Sequence, residues 1–561
     1  MRAVRLGGEH RLRLPFKIDY SCHCANGIGK YSVPRGVVDL NQPDNTMPVD
    51  PNAIAKFQGI KRFVVLMLEN RSFDHLFGYL KTTNPKIAGL SGTESNQKDP
   101  NSPGSPPINV RRASTFVMTF DPAHEHYDVQ VQLYGPLAGT DPSLPPIANP
   151  PSDPAPMTGF ITSAYQAVDF SGDENLVMGC FQRDQLPVLS ALADEFALFN
   201  FWHSSLPGPT WPNRFFIHAA TSGALTDSPS TAQILEGFSF QNGTIYERLK
   251  SGGKSWCIYH DGLPQSAGLS NLRDEFINPF TENFQDMDDF FADVDKGDLP
   301  DYTFIEPRYD TGNNYLAGNS MHPLNDIRKG EALVKQVYEK LRNSTRYWPE
   351  TMVIITFDEH GGFYDHLSPP AAVPPGDQAK YANPNYSFLF NRLGVRVPAI
   401  VVSPYTAKGT IVGDAGNPSN PDTIFDHTSV LATVEKLFGL PALTNRDAAA
   451  KTLEVALNQP TARLSAADAL TSLPAPAPDT AVAGPANPAD IFAAAPQAPL
   501  STNQTTMAAL ALACDLKMNP PNYHAALISN HQKLVEQKDA ADYIQTVEKK
   551  VASRRAAAPG Q

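Results

Sequence analysis

The chain of 561 residues is 41% hydrophobic, enough apolar material for a large buried core. Its formal charge of −13, with 45 basic against 58 acidic residues and no long basic run, excludes wrapping of nucleic acid. The charge still allows a small phosphate-bearing substrate where a bound cation reverses the local field, and no stretch approaches a membrane span, so a soluble chain is expected.

Residues 1–60 read as an irregular segment with scattered Gly and Pro. Arg2, Arg5, Arg11 and Arg13 precede no continuous apolar stretch, so no secretory signal is evident and the compartment stays open. The five cysteines (Cys22, Cys24, Cys180, Cys257 and Cys514) show no paired metal spacing. Their odd number indicates no complete disulfide framework and leaves a Cys180–Cys257 pair open.

Phe63–Leu68 (FVVLML) is the first short, continuously apolar run, and Tyr302–Ile305, Thr351–Phe357 (TMVIITF) and Val397–Ser403 (VPAIVVS) resemble it. Such runs suit strands buried on both faces of a parallel sheet. Helical patterns stand between and after them, at Gly330–Asn343 and Ser429–Phe438. Alternating strands and helices imply an α/β fold with a mainly parallel central sheet sandwiched by helices. Gly92–Pro107 and Leu137–Pro156 are crowded with Pro, Ser, Asn and Asp and read as loops. We read a catalytic domain over 61–450, an Ala/Pro-rich linker or arm over 451–504 and a helical segment over 505–561, whose removal is expected to spare the metal site. Within that last segment, spaced apolar residues over Asn522–Ser553 suggest an amphipathic helix or helix pair.

The chemistry gathers at strand ends. The first run ends in Glu69-Asn70 and the third in Asp358-Glu359. Ligands of open α/β sheets bind beyond the carboxyl ends of the strands. Two buried strands would thus deliver oxygen ligands to one edge, a hard set fit for one divalent cation such as Ca²⁺, Mg²⁺ or Mn²⁺. Either pair alone could simply be the polar end of a strand; the two together favour function.

Thr210, in Leu206–Arg214 (LPGPTWPNR), precedes an apolar helical stretch. Locally it reads as a helix cap. It also reads as a hydroxyl at a helix N-terminus, where amides favour phosphate and a metal would make it nucleophilic. His124, His260, His322, His360 and His366 are candidates to hold phosphate oxygens or protonate a leaving alkoxide, although a lone histidine is more often structural.

Together these segments resemble the bacterial phospholipase C and acid phosphatase family of the alkaline-phosphatase-like superfamily. The stretches that carry the resemblance are Glu69–Gly78 (ENRSFDHLFG), Asp121–His124, Pro207–Arg214 (PGPTWPNR), Phe304–Tyr309 (FIEPRY), His322-Pro323, Phe357–Pro370 (FDEHGGFYDHLSPP), Leu393–Tyr405 (LGVRVPAIVVSPY) and Phe425–Val430 (FDHTSV). The resemblance implies an alkaline-phosphatase-like fold. It implies that Glu69, Asn70, Asp358, Glu359 and the Thr210 hydroxyl hold the metal. Thr210 would be the nucleophile, with a phosphothreonine intermediate. His124, His260 and His322 would contact the phosphate and leaving group, and Asp365 and His366 would brace the metal strand from behind. The Ala/Pro-rich and then helical tail departs from the haemolytic phospholipase C members and looks more like the shorter acid phosphatase branch. Family members are often exported, yet no signal is evident here.

Three readings of function follow: a phospholipase C acting on phospholipid, with peripheral membrane contact left open; a broad acid phosphatase on phosphomonoesters; and a non-catalytic relative that binds anions or partners. The intact Glu69/Asn70/Thr210/Asp358/Glu359 set argues against the last. The oligomeric state is not legible.

Overall fold

The computed structural model describes residues 57–558, apart from 58, 98–103, 105, 136–152, 166–172, 312–314, 316, 384–387, 479–499 and 535–536. Cys22, Cys24 and nearly all of the N-terminal segment lie outside these residues, as does most of the 137–156 stretch.

The apolar runs form strands for the expected reason: each is buried on both faces. The central sheet contains β1 (Arg62–Leu68), β2 (Ala197–Phe199), β3 (Trp256–His260), β4 (Phe284–Asp286), β5 (Tyr302–Glu306), β6 (Thr351–Phe357), β7 (Ala399–Val402) and β8 (Thr410–Val412). Their order is β8-β2-β7-β6-β1-β5-β3-β4, with β1 between β6 and β5. Every residue of β6 is buried, as is all of β1 after Arg62. β1 pairs in parallel with β6 from Arg62↔Thr351 to Leu68↔Phe357, so the two strands end side by side.

Five of the seven pairings are parallel. The run 397–403 corrects the sequence reading. Its strand, β7, is antiparallel to both of its neighbours, β2 and β6. A continuous apolar run reports burial on both faces, and burial does not specify strand direction. Among the described residues Cys180, Cys257 and Cys514 are all buried free thiols, which closes the question of a Cys180–Cys257 bridge.

Helices α1 (Phe73–Phe77), α2 (Pro187–Glu195), α3 (Thr210–Ala219), α4 (Ile327–Arg342) and α5 (Thr428–Phe438) accompany the sheet. The tail adds α6 (Thr502–Met518), α7 (His524–His531) and α8 (Gln537–Ala557). Its deepest element is α6, in which Met507–Asp515 are all buried. A helix apolar nearly all round belongs inside a protein rather than on its surface. Of the Ala/Pro-rich stretch, residues 459–478 are described and contain neither helix nor strand. They are held by side chains of the body: Trp348 donates to the Arg463 carbonyl and Arg342 to the carbonyls of Ser465 and Ala469.

α4 and α2 meet through a buried carboxylate. Glu331 accepts the Leu189 amide at the start of α2 at 2.8 Å, while its Oε2 has no partner. Burial raises its pKa from 4.5 to about 8. The folded chain therefore keeps a proton there that the unfolded chain releases near pH 4.5. The stability tied to this proton is complete below the unfolded value and is lost as pH rises towards the folded one. Glu331→Gln, which keeps the acceptor and removes the ionisation, is expected to flatten the decline in thermal stability between about pH 5 and 8, a change on the order of a few kcal/mol. Parallel melting-temperature profiles for the two proteins would refute the assignment.

Candidate active site

The ends of β1 and β6 are joined by the residues that follow them. The Asp358 amide donates to the Leu68 carbonyl at 3.1 Å and the Arg71 amide to the Glu359 carbonyl at 3.0 Å. Asp358 Oδ1 accepts the amides of Asn70 and Glu359 at 3.0 and 2.7 Å. Asn70 turns the chain in the left-handed region, at φ 58°. Gly361 must be glycine: its φ is 63°, and a Cβ there would lie 2.2 Å from the Asn70 carbonyl oxygen.

Asp358 is fully paired, since its Oδ2 accepts Arg214 Nε at 3.0 Å. The other acceptors are not. Glu69 Oε2, Asn70 Oδ1 and Glu359 Oε1 are buried without a hydrogen-bond partner. Burial raises Glu69 to about 7 and Glu359 to about 8, although Arg214 and His322 draw the first down and His124 the second. Buried oxygen acceptors that lack donors are the environment a hard divalent cation satisfies, so the residues present fit such an ion. The side-chain oxygens of Glu69, Asp358 and Glu359 do not form a trio within 4.8 Å of one another.

Thr210 opens α3 and is buried, 5% exposed. It is not the helix cap considered from the sequence: Pro209 holds that position, and no side chain fills the helix N-terminus. The first amides of α3 are thereby left for another acceptor. Asn213 shapes the turn before it, donating to the carbonyls of Gly208 and Pro209 at 2.9 and 3.1 Å and accepting the Leu206 amide at 3.1 Å. Arg214, one turn beyond Thr210 and so on the same face of the helix, reaches Asp358. It also donates to the Tyr309 hydroxyl at 2.8 Å, which donates to Glu306 at 2.7 Å.

His124 joins the cluster. Its Nδ1 lies 2.6 Å from the Pro122 carbonyl, and its Nε2 lies 3.2 Å from Asn70 Nδ2 and 3.8 Å from Glu359. Burial would lower this imidazole, but Glu359 and Asp121 outweigh it and carry it to about 10. His322 sits nearby. Its Nε2 is 3.4 Å from Asp121, and its Nδ1 accepts the Leu324 amide at 3.3 Å, which leaves the ring proton on Nε2. Arg71 holds the loop, donating to the carbonyls of Met321 and His322 at 2.7 and 3.2 Å.

His260 stands apart. It ends β3, two strands from β1, and contacts the Gly262 carbonyl, Phe276 and Phe284. It lines a separate cleft of about 450 Å³ with Asp286, Glu548 and Arg555. No hydrogen bond or ring contact among the described residues joins it to the Glu69–Asp358 cluster. Burial and Arg555 lower its pKa to about 4.

Asp365 and His366 form a cluster of their own with Asp74, the one trio of metal-ligand type found among the described residues. It already holds a cation: Arg396, fully buried, donates to Asp365 at 2.9 Å and to Asp74 at 3.1 Å. His366 Nδ1 lies 2.5 Å from Asp74.

Sequence reasoning assigned no role to Asp121, Arg214, Tyr309 or His427, although each lies in a quoted motif. His427 Nε2 contacts the Asp358 carbonyl at 2.6 Å. The available signal was a charged or aromatic residue at a fixed place in a long motif, with no indication of its distant partner.

The chain is similar to several known phospholipases C. Non-specific phospholipase C6 of Arabidopsis thaliana is 41% identical over 401 residues, covering 70% of this chain and 71% of that protein. Non-specific phospholipase C1 of the same plant is 38% identical, covering 71% of each. Phospholipase C A of Mycobacterium tuberculosis is 29% identical, covering 68% of this chain and 73% of its own. Among solved structures, a protein in the alkaline phosphatase superfamily from Vibrio parahaemolyticus is 17% identical and covers 62% of this chain and 81% of that one, at a TM-score of 0.30. That superposition is too loose to bear on the chemistry. The Phosphoesterase family model spans residues 60–441, from β1 to just beyond α5. The chain belongs to the Phosphoesterase family and is a hydrolase of phosphate esters.

Proposed function

We propose that this chain is a metal-assisted phosphodiesterase of phospholipase C type that works through a phosphothreonine at Thr210. The observation that carries the reading is the set of unpartnered buried oxygens on Glu69, Asn70 and Glu359, in the cluster whose Asp358 is bonded by Arg214, one turn beyond Thr210 in α3. Glu69, Asn70, Asp358, Glu359 and the Thr210 hydroxyl would hold one divalent cation, Ca²⁺, Mg²⁺ or Mn²⁺. When bound, the ion would supply charge stabilisation for the Thr210 alkoxide and for the oxygens of the phosphoryl group. The relatives named as phospholipases C favour a phospholipid or related phosphodiester over a phosphomonoester.

The chain's own residues divide the work. The Thr210 hydroxyl gives up its proton to water, and its oxygen attacks phosphorus in line while the bond to the leaving alcohol breaks. The N-terminal amides of α3 hold a non-bridging oxygen. His322 gives its Nε2 proton to the leaving alkoxide, and His124 holds a phosphate oxygen. Water then attacks phosphorus from the opposite side and returns a proton to His322, while the threonine oxygen leaves, takes up a proton and frees the phosphomonoester that keeps the second ester group. Dividing one displacement into two is the gain of covalent catalysis. Of the predicted phosphate-contact residues, His260 enters no step, because its neighbours belong to another cleft.

Thr210→Ala is expected to lower single-turnover hydrolysis of an activated aryl phosphodiester by on the order of 10⁴-fold, whereas Thr210→Ser should retain part of it. Mass spectrometry of acid-quenched enzyme should find the phosphoryl group, still carrying the substrate's second ester, on the peptide containing Thr210. Near-normal turnover in Thr210→Ala would end the reading and favour direct attack by water. Chelation should abolish turnover and one divalent ion should restore it, with Glu359→Gln weakening that ion in calorimetry by roughly tenfold or more. Faster hydrolysis of a phosphomonoester than of a choline phospholipid would shift the assignment to the acid phosphatase reading.

A further inference from the structure

The first turn of α6 lies beyond the stretch matched to the family, yet it reaches both sides of the candidate site. Ser501 caps the helix and forms a capping box with Gln504, which fixes the turn. Three side chains project from it. Asn503 Nδ2 donates to the Tyr315 hydroxyl at 3.3 Å. Gln504 Nε2 donates to the Thr311 carbonyl at 2.8 Å, in the loop that leads to His322. Thr506 Oγ1 accepts the indole N–H of Trp211 at 3.1 Å.

Each contact ends on a neighbour of a reacting group. Tyr315 is buried and lies flat against His322, with ring centroids 4.1 Å apart and planes 2° from parallel. Its own carbonyl accepts Asn325 Nδ2 at 2.6 Å, so both ends of the residue are held. The stack sets the plane in which His322 presents Nε2. Trp211 follows Thr210 directly in α3 and is buried against Gly268, where a Cβ would lie 2.5 Å from the indole. The Thr506 bond therefore fixes the rotation of the first turn of α3. No hydrogen bond runs from α6 to Glu69, Asn70, Asp358 or Glu359 among the described residues.

We infer that the first turn of α6 is a positioning element of the active site: Asn503, through Tyr315, sets the ring of His322, and Thr506, through Trp211, sets Thr210. The inference rests on the roles proposed above for His322 and Thr210. It deepens them by making the C-terminal segment part of the machinery while leaving the ligands Glu69, Asn70, Asp358 and Glu359 independent of it.

The test uses the full-length, metal-loaded enzyme and two phosphodiesters, one with an aryl leaving group and one with an alkyl. The alkyl alkoxide needs a proton in the transition state; the aryl oxide needs little. Asn503→Ala and Tyr315→Phe should each lower kcat for the alkyl substrate roughly tenfold to a hundredfold, with a much smaller effect on the aryl one. KM and the calorimetric affinity for the divalent ion should match the parent. The double variant should be no worse than Tyr315→Phe alone, because loss of the hydroxyl already removes the Asn503 bond along with the contact to Ser501. Thr506→Val should lower kcat for both substrates alike, since Thr210 attacks either. Equal losses on the two substrates for Asn503→Ala, additive losses in the double variant, or a parental kcat in Thr506→Val would each overturn the corresponding half of the inference. His322→Ala serves as the reference. If it shows no leaving-group bias, the role of His322 falls and takes the Asn503 half with it. If it is biased while Asn503→Ala and Tyr315→Phe are not, the positioning role alone is refuted.

Discussion

The burial of Glu69 and Glu359 with one oxygen of each left unpartnered is the constraint on which the rest of the site depends. A carboxylate removed from water is costly unless donors or a cation meet it. The chain supplies donors unevenly. Asp358 receives two amides and a guanidinium, whereas Glu359 receives an amide on one oxygen and no hydrogen bond on the other, which has only His124 at 3.8 Å. The register of β1 against β6 forces this crowding, because two parallel strands that end at Leu68 and Phe357 place their next residues side by side. Other features keep the crowding in place: the left-handed turn at Asn70, the glycine at 361, and Arg214 reaching in from α3.

A second buried acidic cluster shows how the chain behaves when no outside cation is needed. Asp74 and Asp365 are as deeply buried as Glu69 and Glu359, yet Arg396 lies between them and His366 closes the remaining side. The guanidinium also bonds the carbonyls of Ala88 and Asn200 and covers the face of Phe73. This cluster ties α1 to the chain after β6 and fits a structural role. The contrast between the balanced cluster and the unbalanced one distinguishes a brace from a binding site more clearly than the number of carboxylates does.

The tail enters the same scheme. Its buried helix α6 could not stand in water as a lone arm, because Met507–Cys514 would expose a nearly continuous apolar surface. Packed inside, it brings polar side chains at its first turn to Trp211 and to Tyr315. The apolar length anchors the segment and the polar turn does the positioning.

Much of this was legible in the chain. The largely apolar runs over 63–68, 302–305 and 351–357 suit strands covered on both faces, and polar pairs directly after two of them mark the edge where a ligand is expected to bind. The long motifs around Glu69, Thr210 and Asp358 carry the family. Strand direction was not legible, since the run at 397–403 is as apolar as the mutually parallel β1, β5 and β6 yet runs antiparallel to both flanking strands. Nor were the partnerships: Arg214 meets Asp358 across 144 residues and Trp211 meets Thr506 across 295. Strand order, which no local motif reports, leaves His260 two strands from β1 beside α8. The sequence by itself determined which runs become buried strands and which motifs mark the candidate site, because burial and motif are local properties. The tertiary structure alone decided which of those residues share a cluster and which oxygens are left without a donor, because neighbours in a sheet are seldom neighbours in the chain.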